Sequence, residues 1–315
     1  MKISIGTEGV LGIKKIKMDA APTTAYLMLG TKCSNNCIFC PQARASKSGE
    51  NLLSRVSWNN ATVNVWPLID KAYKKNMIKR ACIQVISQPG ISELLAKELA
   101  KYKSISKVPL CISGGVNSIE DIDKLIELGV DRIGIALDAA TPEIYRRVKG
   151  LDFLRKLYLL QKAAAKYPGR ISTHLISGLG EKEDEMLEMI QVMYEKGINV
   201  ALFAFTPIQG TLMEYEQPPE ISTYRRIQIG HYLIKEKICQ KEDIIFENGE
   251  VKELPMKIAE LMETAKGIPF MTTGCSGCNR PYYNEKPGGI MYNYPRELTE
   301  EEIHKAYKES ELLLD

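Results

Sequence analysis

The sequence predicts a (β/α) barrel, and three features predict it. Short β-prone runs alternate with longer amphipathic segments, which is the pattern of βαβ units around a parallel sheet. Several of the amphipathic segments close on a glycine of the C-cap kind. The 315 residues, 44% hydrophobic and 26% charged, suffice for one large α/β domain or two ordinary ones.

Taken in order, strands are expected at 24–30 (TAYLMLG), 81–87 (ACIQVIS), 108–113 (VPLCIS), 132–138 (RIGIALD) and 171–177 (ISTHLIS). Three more are expected at 199–205 (NVALFAF), 243–247 (DIIFE) and 268–272 (IPFMT). Between them run helical patterns such as SELLAKELAKY, SIEDIDKLIELG, EDEMLEMIQVMYEKG and LPMKIAELMETAKG. Eight such units predict a TIM-like (β/α) barrel over 21–273, preceded by an N-terminal extension (1–20) and followed by a C-terminal tail (274–315). The tail ends in an expected solvated helix, with Thr299 and Glu302 forming a capping box.

A formal net charge of +3, with Lys and Glu interspersed, predicts no nucleic-acid partner, and no P-loop or dinucleotide G-x-G-x-x-G occurs. No run reaches the roughly 20 apolar residues of a membrane helix, so no membrane association and a cytoplasmic location are expected. In a reducing compartment eight cysteines at short spacings argue for metal or redox chemistry. With only His174, His231 and His304 available, any metal site must be rich in thiolates.

The stretch TKCSNNCIFCPQ places Cys33, Cys37 and Cys40 at C-x3-C-x2-C just after the first strand. Four cysteines would close all four irons of a cubane, whereas three leave one iron open. The amino and carboxylate groups of S-adenosylmethionine are a suitable chelate for it. The competing zinc knuckle wants four ligands and C-x2-C pairs.

Cys275 and Cys278, after the last expected strand, cannot hold a cluster alone. Strand alternation puts Cys82 with Gln84 and Ile86 on one face, and Cys111 with Ser113. If the barrel closes, strands eight, two and three converge, and Cys82, Cys111, Cys275 and Cys278 become four ligands of an auxiliary iron-sulfur cluster. Taken singly, a strand cysteine is more often a small core hydrophobe. Cys239 is expected to be inert, and a zinc site joining the C-terminal pair to His231 or His304 has no recognisable spacing.

C-x3-C-x2-C with an aromatic, Phe39, before the last cysteine resembles the radical S-adenosylmethionine (radical SAM) superfamily. The resemblance implies a 4Fe-4S cluster on Cys33, Cys37 and Cys40, with S-adenosylmethionine bound to it. IALDAATPEIY resembles biotin synthase-like members and implies Asp138 as the ribose ligand, against the plainer reading of a turn or helix cap. HLISGLGE resembles the strand-five pattern in which Gly178, Gly180 and Glu181 shape the cofactor site, and FTPIQGT the strand-six stretch facing adenine. Arg147 is a candidate for the cofactor carboxylate, with an exposed helix arginine as the alternative. The family's Gly-Gly-Glu after strand two is replaced by Ser87, Gln88 and Pro89.

Biotin synthase takes cluster ligands from strands two, three and five and an arginine from strand eight. Here Ser172 stands at about the strand-five place, and the C-terminal pair would substitute. The tail GC-x-GCNRPYYNE-x-PGG-x-MYNYP is similar to that of the archaeal two-protein lipoyl synthases. That similarity implies sulfur insertion at carbon 6 or 8 of an octanoyl chain linked to a lysine of a carrier protein or peptide. The auxiliary cluster, 4Fe-4S in type, would be the sulfur donor. Implied partners are a second radical SAM lipoyl synthase component and an electron donor such as ferredoxin. The alternatives are a radical SAM enzyme with a non-sacrificial second cluster, and a non-catalytic iron-sulfur carrier. The tail's tyrosines and glycines would form a lid over the barrel mouth or a seal at its base.

Overall fold

A computed structural model describes residues 1–285 and 288–312. Eleven strands and ten helices follow one another in the described chain. The chain opens with β1 (Lys2–Ser4), α1 (Ile5–Val10), β2 (Thr24–Leu29), the hairpin β3 (Leu52–Leu53) and β4 (Val56–Asn60), and α2 (Trp66–Lys74). Then come β5 (Arg80–Val85), α3 (Ile91–Ile105), β6 (Leu110–Ser113), α4 (Ile119–Glu127), β7 (Arg132–Gly134), α5 (Pro142–Lys149) and α6 (Phe153–Lys166). The rest comprises β8 (Ile171–Ser177), α7 (Glu183–Glu195), β9 (Asn199–Ala204), α8 (Ile221–Lys235), β10 (Ile245–Glu247), β11 (Glu250–Glu253), α9 (Ile258–Ala265) and α10 (Glu300–Lys308).

Nine strands form one sheet in the order β3-β4-β1-β2-β5-β6-β7-β8-β9. From β2 to β9 all neighbours are parallel, and their crossover helices cover the outer face. These six strands are the barrel part. Local chemistry fixes the helices around them: Ser118 and Asp121 form a capping box on α4, and α5 starts at Thr141 with Pro142 and stops at left-handed Gly150. The expected capping box of Thr299 and Glu302 is present on α10, whose Ile303, Ala306 and Tyr307 are buried, so this helix packs one face into the core.

The seventh and eighth expected strands do not join the sheet. Residues 268–272 contain Pro269, which has no N–H to give a ladder, and Ile268–Phe270 turn as a 3-10 helix. Residues 243–247 yield only β10, which pairs antiparallel with β11 across Asn248-Gly249, both at positive φ as a tight hairpin demands. The strand expected at 132–138 ends at Gly134, and Asp138, at φ +71°, keeps a single bridge to Leu175. Within the N-terminal extension β1 pairs with both β2 and β4.

The tail occupies the seam left by the two missing strands. At the N-terminal ends of the strands, Asn199 Nδ2 donates to Gly274 O (2.6 Å) and Thr23 Oγ1 to Gly277 O (2.7 Å). At the opposite end Asn284 Nδ2 donates to Thr206 Oγ1 (3.2 Å) and Ser54 Oγ to Tyr283 O (2.7 Å). The chain from 274 to 284 therefore climbs from the base of the barrel to its mouth. Arg225, 1% exposed on α8, anchors the next stretch of the tail by donating to the carbonyls of Met291 (2.6 Å) and Tyr292 (2.8 Å).

Beside it, Arg226 and Glu183 form a buried ion pair at 2.6 Å joining α8 to α7. Removing one partner of such a pair strands the other charge, so Arg226→Met is expected to cost about 3–5 kcal/mol. Chemical denaturation measures this, and a loss under about 1 kcal/mol would show the pair to be solvated in practice.

Candidate active site

The three-cysteine loop leaves the C-terminal end of β2 and is held by backbone bonds on every side. Cys33 N donates to Gln42 O (2.8 Å), Ser34 N to Ser87 O (2.6 Å), Ile38 N to Val148 O (2.8 Å) and Lys47 N to Gly210 O (2.7 Å). The departure at Ser87-Gln88-Pro89 thus has a structural role, since Gln88 Oε1 also accepts from Thr31 N (2.8 Å). Burial pushes the thiol of Cys37 up to about 11 and that of Cys40 up to about 12, so both are protonated until a cation displaces the proton.

Cys33 and Cys40 line a cavity of about 230 Å³ at the barrel mouth, with Asp138, Gln84, His174 and Thr206. Asp138 is buried there and paired with Lys149 Nζ at 2.5 Å. Lys149 also donates to Ala136 O (2.9 Å) and lies close enough to Cys37 to lower its pKa. Asp138 is therefore no helix cap; Thr141 caps α5.

Gly178, at φ +98°, would clash with Pro219 Cδ at 2.8 Å if it carried a Cβ, and Glu181 folds back to accept from the N–H groups of Gly178 (2.7 Å) and Leu179 (3.0 Å). Glu181 and the glycines shape the loop and do not line the mouth cavity. Arg147 does not line it either: its guanidinium donates to Leu179 O and faces a separate outer pocket with Asn35 and Arg44.

Beneath the mouth lies a second, small cavity of about 50 Å³ inside the barrel, against the roughly 10–15 Å³ that one water needs. Cys82, Cys111, Cys275 and Cys278 all line it. Cys82 and Cys111 are register partners on adjacent parallel strands, and Cys111 Sγ lies 3.9 Å from Cys275 Sγ. Cys275 and Cys278 sit in a turn closed by Cys278 N donating to Cys275 O (3.0 Å), and Tyr26 Oη reaches Cys278 Sγ at 3.1 Å.

The electrostatics of this cavity favour thiolate at Cys275 alone; Cys111, which donates to Cys275 and is buried, is pushed well above the ordinary thiol range. A hydrogen bond from Cys111, aided by Arg80, Arg132 and Arg280, holds Cys275 well below the ordinary thiol range, while burial pushes Cys82 up. Among the described residues no three His, Cys, Asp or Glu side chains close around a single point as one ion requires. The donor set, four thiols with arginines to balance anionic charge, suits a cage of several irons, on which Cys111 and Cys275 would stand farther apart than their present 3.9 Å.

Gln84, Ser113, His174, Phe203 and Tyr283 line both cavities and so separate them. Phe203 is the hub: His174 meets it edge-on at 5.2 Å, Tyr283 at 5.3 Å, and the Arg280 guanidinium lies 4.1 Å over its ring. Burial lowers the pKa of His174 to about 4, so it is neutral at ordinary pH. Ser172 lines the lower cavity, where the strand-five position falls. Cys239 is buried elsewhere in the core, and His231 bonds Tyr194 Oη at 2.7 Å.

Sequence reasoning missed Lys149, His174 and Arg280. Lys149 ends the basic run RRVK at the C-terminus of α5, where a cation is expected for the helix dipole alone. Arg280 had a signal, two residues beyond Cys278.

A six-stranded parallel arc with three thiols at its C-terminal rim and four more inside defines a cluster-binding (β/α) barrel. Residues 27–193, just over half the chain, match the model of the radical SAM superfamily, and the protein belongs to that family. It is a radical SAM enzyme, and the family implies S-adenosylmethionine and a 4Fe-4S cluster. The matched span includes Cys33, Cys37, Cys40, Cys82 and Cys111 and ends before the tail. A lipoyl synthase of Buchnera aphidicola subsp. Schizaphis graminum is 23% identical over 56% of this chain and 55% of that protein. A biotin synthase of Sulfurihydrogenibium sp. is 26% identical over 57% of this chain and 53% of that one. The matches thus span about half the length of these relatives. The crystal structure of methylornithine synthase aligns with a TM-score of 0.51 at 17% identity, covering 66% of this chain and 62% of that one, and supports the fold alone. No helix among the described residues is long and apolar enough to cross a membrane.

Proposed function

We propose that this enzyme inserts sulfur into an unactivated C–H bond of an octanoyl chain carried on a lysine of a protein or peptide, forming part of a lipoyl group. The observation that carries the reading is the convergence of Cys82, Cys111, Cys275 and Cys278 on one cavity directly beneath the three-cysteine loop. The tail's likeness to archaeal two-protein lipoyl synthases supports the substrate, and with it a second radical SAM component and a ferredoxin-type electron donor as partners.

In this reading Cys33, Cys37 and Cys40 hold one 4Fe-4S cluster, and the four inner cysteines hold an auxiliary one. When bound, the first supplies the electron that cleaves S-adenosylmethionine and the second supplies sulfur. Asp138 accepts from the cofactor ribose with the carboxylate oxygen that Lys149 leaves free, and the contact with Lys149 fixes that carboxylate in place. The wall of Phe203, His174 and Tyr283 keeps water from the space between the two cavities. Arg280 and Arg132 balance the anionic charge of four thiolates and a cluster.

A second reading, a biotin synthase-like or other enzyme whose auxiliary cluster is retained, is favoured by Arg280 lining the same cavity, while Ser172 in place of a strand-five cysteine departs from it. Anaerobic reconstitution with reductant, S-adenosylmethionine and an octanoyl-lysyl peptide, with and without the second component, decides between them. The expected result is a sulfur-bearing peptide with loss of cluster sulfide in step. 5′-Deoxyadenosine without peptide modification, even beside an active second component, would discard this substrate.

A further inference from the structure

A further cavity belongs to neither cluster site. It measures about 630 Å³, within the range of small-molecule pockets, and is mostly apolar. Its walls come from three segments distant in sequence: the N-terminal stretch (Ile5, Met18, Pro22), the hairpin strand β4 (Val56, Trp58) and the tail (Tyr282). None of these lies in the part of the chain that matches the family model, except the hairpin.

Two features give the cavity a direction. At one end Tyr26, Arg280 and Tyr283 are shared with the four-thiol cavity, so the two spaces stand on opposite sides of the same side chains. Arg55 marks where the cavity meets an open outer groove, which it borders with Leu52 and Ser54. Its Nε is buried without a hydrogen-bond partner among the described residues, and burial lowers its pKa. Trp58 Nε1, on the same wall, is likewise buried and unpartnered. Both nitrogens are donors only, and the group they lack is an acceptor.

An apolar tube with unpaired donors along it, opening outward at one end and abutting four thiols at the other, suits a medium-chain acyl group attached through an amide. The geometry points to this cavity as the binding channel for the acyl-lysyl arm: the amide carbonyl accepts from Arg55 near the outer end, and the alkyl chain runs inward toward Tyr26, Arg280 and Tyr283. This assignment rests on the substrate reading above for the identity of the arm, and on the cavity itself for its place.

The test is calorimetric titration of the cluster-loaded protein with octanoyl-lysyl and hexanoyl-lysyl peptides, for wild type, Val56→Trp and Arg55→Met. Each buried methylene is worth about fourfold in affinity, so the hexanoyl peptide is expected to bind about 15-fold more weakly. Val56→Trp fills the tube, and Arg55→Met removes the polar anchor while keeping the apolar stem. Both are expected to weaken octanoyl-peptide binding about tenfold or more.

Wild-type affinity in both variants, or no octanoyl-peptide binding by wild type, would overturn the assignment. Sulfur insertion proceeding with unchanged KM in both variants would also overturn it while leaving the proposed reaction intact. Chain-length-dependent binding that both variants lose, with no sulfur inserted, would uphold the channel and discard the reaction.

Discussion

Cys40→Ala is expected to abolish reductive cleavage of S-adenosylmethionine. Cys40 is one of only three thiols on the loop, and the loop's backbone bonds to Ser87, Val148 and Gly210 leave no slack for a substitute ligand to swing in. Even outer-shell partners of metal ligands are worth roughly 10–100-fold, so loss of a direct ligand should lower 5′-deoxyadenosine formation by at least about 100-fold. Iron and sulfide content after reconstitution should fall by the loop's share and keep the inner cluster's. Cys239→Ala, in the core and away from both cavities, is the matched control. Equal 5′-deoxyadenosine formation by Cys40→Ala and Cys239→Ala would remove the loop from the chemistry.

The paired change Cys275→Ala/Cys278→Ala should do the reverse, preserving cofactor cleavage and eliminating sulfur transfer. These two thiols arrive on the tail, and nothing in the three-cysteine loop bonds to them. Tyr26 would lose its contact with Cys278, but Thr23 and Asn199 still hold the turn through backbone carbonyls of Gly277 and Gly274, so the seam stays closed. With half its thiolates gone the inner site could not retain the proposed cubane. Sulfur-bearing peptide is expected to drop by at least about 100-fold while 5′-deoxyadenosine stays within about twofold of wild type, a difference of more than about 2 kcal/mol between the two steps. Undiminished sulfur transfer by this variant would sink the auxiliary donor, and a parallel loss of both products would make the inner cysteines structural.

Much of the site was legible because its logic is local. C-x3-C-x2-C needs only a loop after a strand, and the strand itself is announced by TAYLML. Cys82 and Cys111 could be paired on paper because a strand alternates faces with period two and parallel neighbours keep register. The capping box on α10 was readable for the same reason, since the residues that satisfy the first N–H groups lie within four positions of them. Arg147 and Lys149, two residues apart on α5, show the limit: which of them meets Asp138 depends on the helix's rotation against the sheet, which no short pattern specifies.

The class is written in the chain itself: a βαβ pattern, a three-thiol loop at the rim, and four further thiols waiting for a common place. The folded molecule was needed to learn that the barrel stays open at six parallel strands. It also shows the tail, pinned by Thr23, Asn199 and Thr206, filling the seam and carrying Cys275 and Cys278 to Cys82 and Cys111. The eight-strand expectation failed because strand propensity at 243–247 and 268–272 is only a local preference. Pro269 removes a ladder donor, and Asn248-Gly249 turns the other segment back on itself before it can reach the sheet. Closure depends on side chains more than 70 residues apart finding each other's carbonyls, and that pairing is settled only when the whole core is packed.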